Sequence, residues 1–351
     1  MIRKWIYKWH KKIALFTSVV FLLLAVTGSI LIYKLEIINA LVAPELNFIS
    51  GAQSDDLALS LDRIRIAWGA NRIQLVKAPS SHEPYWAVYL KPGGKRLLRT
   101  DNLTELTQNL WALEVLEFIR EMHVTFLIGW MGHIAGFIFG LFLFFLLLSG
   151  IYLWVPAWRR FSFNRVFSKP LSRGRALVSH KNLGILLAVG LLLLTVTGTV
   201  MNGWRISGWI FPVDISVNHQ SKATSPSEIL KTKTLLDIAL KAVPDSYPTY
   251  IWLPSDHEKY AKFRMRFNDE LHMNGKTVVV IDPSSGEIIL LDRSDKASFF
   301  KRFLYIMWPL HTGYGIPFFY GTLLWVLGLG LIRLMYSCLL YTSPSPRDEV
   351  L

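Results

Sequence analysis

The chain has 351 residues, 52% of them apolar, yet its formal net charge is +13. That pairing is uncommon in soluble enzymes and ordinary in membrane proteins with basic loops. Its single cysteine, Cys338, excludes internal disulfides, a four-cysteine zinc or iron–sulfur site and covalent C-x-x-C-H haem attachment.

Arg3, Lys4, Lys8, Lys11 and Lys12 precede an apolar run over 13–33. About 20 apolar residues is span length, and no small-residue cleavage site follows, so residues 1–33 read as a retained first transmembrane helix. Residues 34–125 begin helix-like from Asp55 to Trp68. They then turn to short strand runs at 73–76, 85–90 and 96–100, broken by Pro84 and Pro92-Gly93-Gly94. A second span, 126–155, leads to a loop, 156–181, that holds Arg159, Arg160, Arg165, Lys169, Arg173, Arg175 and Lys181 and no acid.

The third span covers 182–203. Residues 204–310 repeat the earlier plan, helix-like over 234–243, with strands at 250–253, 262–267, 278–282 and 287–291. The fourth span fills 311–338, its apolar run starting at 317. From about Ser337 the periodicity stops, and the tail 339–351 reads as a truncation or assembly artefact.

Short loops rich in Lys and Arg stay on the cytoplasmic side. The N-terminus and the 156–181 loop therefore face the cytoplasm and the two larger segments lie outside. Bases clustered beside spans, rather than on one folded patch, argue against nucleic acid as a partner. The expected fold is an integral membrane α-helical protein, four transmembrane helices in a bundle, with two small periplasmic α+β domains. Trp5, Trp9, Trp130, Trp154, Trp158, Trp204 and Trp308 cluster at the span ends, where an amphipathic indole prefers to sit.

A repeat runs through the membrane as well. His10 is followed 17 residues later by Thr27-Gly28, and His180 by Thr197-Gly198 at the same interval. At 1.5 Å per residue each His lies about 27 Å from its Gly, near the opposite face of the bilayer. His123 and His311 precede the second and fourth apolar runs on the outer side. A haem held between helices needs one axial imidazole from each of two facing helices at one depth. His10 with His180 and His123 with His311 meet that condition, as an inner and an outer pair.

Interfacial histidines without a cofactor are the plainer reading of any one of these four. His133, ten residues inside His123, is an alternative or supplementary outer ligand, since ionisable groups at such depth are functional candidates. Gly28, Gly132, Gly136, Gly140, Gly184 and Gly198 suit close helix packing or a flat cofactor. Arg333 is placed to meet a haem propionate or to snorkel. His82, His219, His257 and His272 share no spacing and are expected on solvated surfaces.

Residues 9–15 (Trp-His-Lys-Lys-Ile-Ala-Leu), 148–154 (Leu-Ser-Gly-Ile-Tyr-Leu-Trp), 179–184 (Ser-His-Lys-Asn-Leu-Gly) and 310–313 (Leu-His-Thr-Gly) carry a resemblance. The chain, up to about residue 336, resembles the PepSY-associated transmembrane family, which includes iron-regulated inner-membrane proteins and siderophore-iron reductases of bacteria. The resemblance implies PepSY-type outer domains and a haem-bearing membrane protein; with the inner and outer histidine pairs, the expectation is two b-type haems, one near each face. The resemblance also implies electron transfer across the bacterial inner membrane to a ferric siderophore or other Fe(III) chelate in the periplasm. His10, His180, His123 and His311 match the family's recurrent histidines. Many relatives are expected to carry a basic residue at the position of His133.

No G-x-G-x-x-G follows a soluble strand, so the electron donor, a quinol or a partner reductase, must come from outside the chain. A non-catalytic PepSY scaffold or sensor that binds a periplasmic partner is the alternative. Few interior carboxylates line the spans, which disfavours a metal permease.

Overall fold

The computed structural model describes residues 1–42, 54–106, 111–166, 173–210 and 229–342. In chain order these form α1 (Ile2–Leu31), α2 (Lys34–Val42), α3 (Ser54–Trp68), β1 (Ile73–Lys77), β2 (Trp86–Leu90), β3 (Gly94–Leu98), α4 (Trp111–Thr125), α5 (Trp130–Trp154) and α6 (Arg173–Ile210). Then follow α7 (Thr232–Ala242), β4 (Ser246–Trp252), β5 (Ala261–Phe267), β6 (Thr277–Ile281), β7 (Ile288–Asp292), α8 (Phe299–Thr312) and α9 (Phe318–Thr342). The chain divides into two compact units, one from the described parts of 1–33, 114–212 and 307–351, the other from those of 34–113 and 213–306.

The first unit is a bundle of α1, α5, α6 and α9, each long and apolar enough to cross a membrane. The chain is a multi-pass membrane protein. Helix α1 packs on α5 and α9, and α6 packs on the same two, so α1 and α6 stand on one diagonal of the bundle. Phe21, Leu146, Leu191, Leu324 and Leu331 fill the interior, while Phe16, Val19, Val189 and Phe319 are exposed on the outside, as a lipid-facing surface requires.

Small residues set the helix approach. A Cβ on Gly140 would meet Thr199, and one on Gly190 would meet Leu327, at distances no real side chain tolerates. Thr17 and Thr195 satisfy their buried hydroxyls within their own helices: Thr17 donates to Ile13 and Thr195 to Leu191, each to a carbonyl one turn back.

Helix α6 starts at Arg173, so the end of the expected 156–181 loop is helical. Helix α9 continues through Ser337 to Thr342, beyond the point where the apolar periodicity ends; residues 343–351 lie outside the described part.

The second unit is α+β. Its seven strands form one antiparallel sheet in the order β3-β2-β1-β4-β5-β6-β7. Two α+β segments are expected from the sequence, and they join edge to edge. The joint is β1 with β4, pairing Val76 with Ile251 and Lys77 with Tyr250. Helices α3 and α7 pack against each other and cover one face, where Leu61, Ile64, Leu235 and Leu236 meet Val88, Ile251, Phe263 and Val279. Strand alternation sends Tyr89, Tyr250, Trp252, Lys262 and Arg264 to the other face. There Lys262 sits over the Trp252 ring at 5.0 Å and Lys95 over Tyr89 at 5.7 Å.

Candidate functional site

Two helices that the sequence reading leaves undefined carry the first pair of histidines. His123 sits near the C-terminus of α4 and His311 near that of α8, each just before the turn into a spanning helix. In the first turn Phe126 and Leu127 adopt positive φ, at 52° and 63°, a conformation that disfavours side chains. In the second, Gly313 and Gly315 take the positive φ without that cost.

The two imidazole rings face each other with centroids 6.4 Å apart and planes inclined by 43°. His123 Nδ1 lies 2.9 Å from Thr27 Oγ1 on α1, and His311 Nδ1 lies 2.9 Å from Thr197 Oγ1 on α6. Beside each threonine is a glycine. A Cβ built on Gly28 would stand 2.9 Å from His123 Cε1, and one on Gly198 would stand 2.9 Å from His311 Cε1. Only glycine lets the rings lie this close to the backbones of α1 and α6.

The second pair occupies the other end of the bundle. His10 on α1 and His180 on α6 enter from opposite corners and line a common cavity of about 600 Å³, within the size range of cofactor pockets. Arg3, Lys4, Lys11 and Lys181 also line it, so the cavity is apolar inside and cationic at its basic end. His10 Nδ1 is 2.8 Å from Ser149 Oγ on α5, and His180 Nδ1 is 3.3 Å from Ser337 Oγ on α9.

The remaining candidates separate from these pairs. His133 Nδ1 is 2.9 Å from Asn202 Oδ1, and Asn202 in turn donates to the Gly198 carbonyl, so His133 is engaged by a side chain of α6. Arg333 places its guanidinium 5.8 Å from the Tyr336 ring centre. Of the expected glycines, Gly136 faces Asn202, Gly132 abuts the Thr125 carbonyl, and Gly184 has only Leu334 nearby, at 3.8 Å.

In the second unit His82 and His257 are exposed, as expected for solvated histidines. His272 is not: it is 6% exposed, enclosed by the β5–β6 connection, where its Nδ1 accepts the Asn274 N–H at 3.3 Å. Burial, reinforced by the Lys276 charge, pushes its pKa down to about 2. His219 lies outside the described residues.

Among the described residues no group of three or more His, Cys, Asp or Glu gathers to hold a metal ion. The clusters present are pairs. A porphyrin supplies four of the iron's ligands, so two imidazoles are what a haem site asks of the protein. A metal–imidazole bond of about 2 Å, plus about 1 Å from nitrogen to ring centre, separates two axial imidazole centres by about 6 Å. The His123–His311 separation fits that, and the cationic lining beside His10 and His180 fits the carboxylates of such a group.

The sequence reading singles out Thr27, Thr197 and the Leu-Ser-Gly at 148–150 but assigns none of them to an imidazole. The interval places each Thr-Gly near the face opposite its own histidine, and there it meets a histidine from elsewhere in the chain. Thr27 touches His123, 96 residues away, and not His10.

No curated protein matches the chain. A family model for the PepSY-associated TM region matches residues 7–342, and the chain belongs to that family.

Proposed function

We propose that the bundle holds two b-type haems, one between His123 and His311 and one between His10 and His180, and that the protein is a transmembrane electron carrier. The observation that carries this reading is the facing of His123 and His311 with ring centres 6.4 Å apart. Haem bound at the two pairs would supply one-electron redox chemistry near both faces of the bilayer. The chain's own part is to present the imidazoles, exclude water with the apolar bundle interior, and neutralise carboxylates with Arg3, Lys4, Lys11 and Lys181.

The proposed acceptor is a ferric siderophore or other Fe(III) chelate, which makes the protein an oxidoreductase of the bacterial inner membrane with its N-terminus in the cytoplasm. Reduction to the softer, less charged Fe(II) loosens the grip of hard oxygen ligands. The sheet face bearing Tyr89, Trp252, Lys95 and Lys262 has the aromatic and cationic character that an anionic chelate would need. The electrons would come from a quinol or a partner reductase. Reduced, haem-loaded protein mixed anaerobically with a ferric siderophore and a ferrous-specific chelator should reoxidise as Fe(II) appears. Reduced bands that persist without Fe(II) release would remove the chelate from the reading.

A non-catalytic PepSY scaffold or sensor is the second reading. Family membership and the fold agree with it directly, and the lack of a metal cluster of three or more ligands among the described residues favours it. It requires no cofactor. Protein that stays colourless after haem-replete expression would establish it over the first.

A further inference from the structure

The hydroxyls beside the four histidines have already spent their protons. Thr27 Oγ1 donates to the Leu23 carbonyl at 2.7 Å, and Thr197 Oγ1 donates to the Leu193 carbonyl at 2.8 Å, each one turn back in its own helix. A hydroxyl has one hydrogen to give. With that hydrogen given to the helix carbonyl, each oxygen accepts from the imidazole, which places the ring hydrogen on Nδ1 of His123 and of His311. The Leu194 carbonyl, 3.1 Å from His311 Nδ1, is also an obligate acceptor and demands the same tautomer.

The other pair repeats the arrangement. Ser149 Oγ donates to Leu146 at 3.1 Å and Ser337 Oγ to Leu334 at 2.9 Å. Their oxygens are left to accept from His10 and His180. A neutral imidazole with its hydrogen on Nδ1 has its lone pair on Nε2, the form in which it binds a metal.

We infer that Thr27 and Thr197 are positioning residues that lock His123 and His311 in the tautomer with Nε2 open as a ligand, and that Ser149 and Ser337 do so for His10 and His180. The ligand that Nε2 takes rests on the haem reading; the tautomer depends on this chain alone. The device is the same at all four positions. A helix hydroxyl tied to its own carbonyl is a fixed acceptor.

The test uses ¹⁵N-histidine NMR of the full-length, haem-free protein in lipid nanodiscs. Wild-type His123 and His311 should show a protonated Nδ1 and an unprotonated Nε2. Thr27→Val keeps the shape and removes the hydroxyl acceptor, leaving the Leu24 carbonyl beside the ring, so the His123 signals should move toward a tautomer mixture while those of His311 stay put. The unmoved His311 signals report that the bundle is folded. Thr27→Ser should restore the wild-type His123 signals.

In haem titrations the valine variant should lose about 10- to 100-fold in affinity at one site, with serine recovering it. An Nε2-protonated His123 in the wild type, or His123 signals unchanged in Thr27→Val, would overturn the inference. Tautomers that respond as expected in a protein that binds no haem would uphold the positioning role and sink the haem reading.

Discussion

His123 and His311 face each other at 6.4 Å between ring centres although they lie on separate helices, α4 and α8. Each is held by the first helix of its own half: α1 supplies Thr27 and Gly28 to His123, and α6 supplies Thr197 and Gly198 to His311. An internal repeat thus delivers two equivalent imidazoles to one place from opposite sides of the bundle.

If each pair is one site, the pairs should be separable. His180→Ala should lower haem content from about two per chain to about one, leaving His123 and His311 loaded. A pyridine haemochrome assay beside protein quantitation reads the ratio. Retention of both haems would contradict the pairing.

Gly28 and Gly198 are equally close fits in the site. Gly28→Ala brings a Cβ to 2.9 Å from His123 Cε1, so the ring must move or the helices part. Overpacking of this kind costs about 1–3 kcal/mol. A lower thermal midpoint and loss of one haem are expected. Gly208→Ala, whose Cβ would meet nothing within 4 Å, should change neither.

Most of the architecture was legible because its signals are local. Alternation places strand β5 at 262–267, and the structure has it at Ala261–Phe267; run length places the four spans. What was not legible depends on distant pairing. Nothing in residues 73–77 alone says that β1 pairs with β4 and fuses two small sheets into one. Helices α4 and α8 lack the length and hydropathy of a span, so their histidines looked like entrances to the apolar runs that follow. His272 looked like a surface residue because the turn that buries it closes through Thr249, which donates to the Asn274 carbonyl at 2.6 Å from another strand.

That burial has a pH signature. The folded form keeps His272 neutral down to about pH 2, whereas the unfolded chain takes a proton near its ordinary value of 6.5. The unfolded state therefore binds more protons below pH 6.5. Stability of the sheet unit should fall as pH drops through that window, by up to about 1.4 kcal/mol per unit, and level off above it. Hydrogen exchange of β5 and β6 amides in the intact protein should show the slope, and His272→Gln should flatten it.

The sheet unit contains a buried ion pair between Lys77 and Glu83, both 7% exposed. Glu83→Gln removes the carboxylate and leaves the ammonium in a dry setting, a loss of about 3–5 kcal/mol where such pairs are broken on one side. Adding Lys77→Met should recover much of it. Equal destabilisation in the single and double variants, measured by amide exchange in the sheet, would contradict this.

The central claim is tested most directly by an absorption spectrum of the purified full-length protein after haem-replete expression, before and after dithionite. Two imidazole pairs predict a Soret band and a sharp reduced α band of the six-coordinate low-spin type, with haem lost stepwise when one pair and then the other is replaced. A protein with no Soret band would contradict the account and leave the PepSY scaffold in its place.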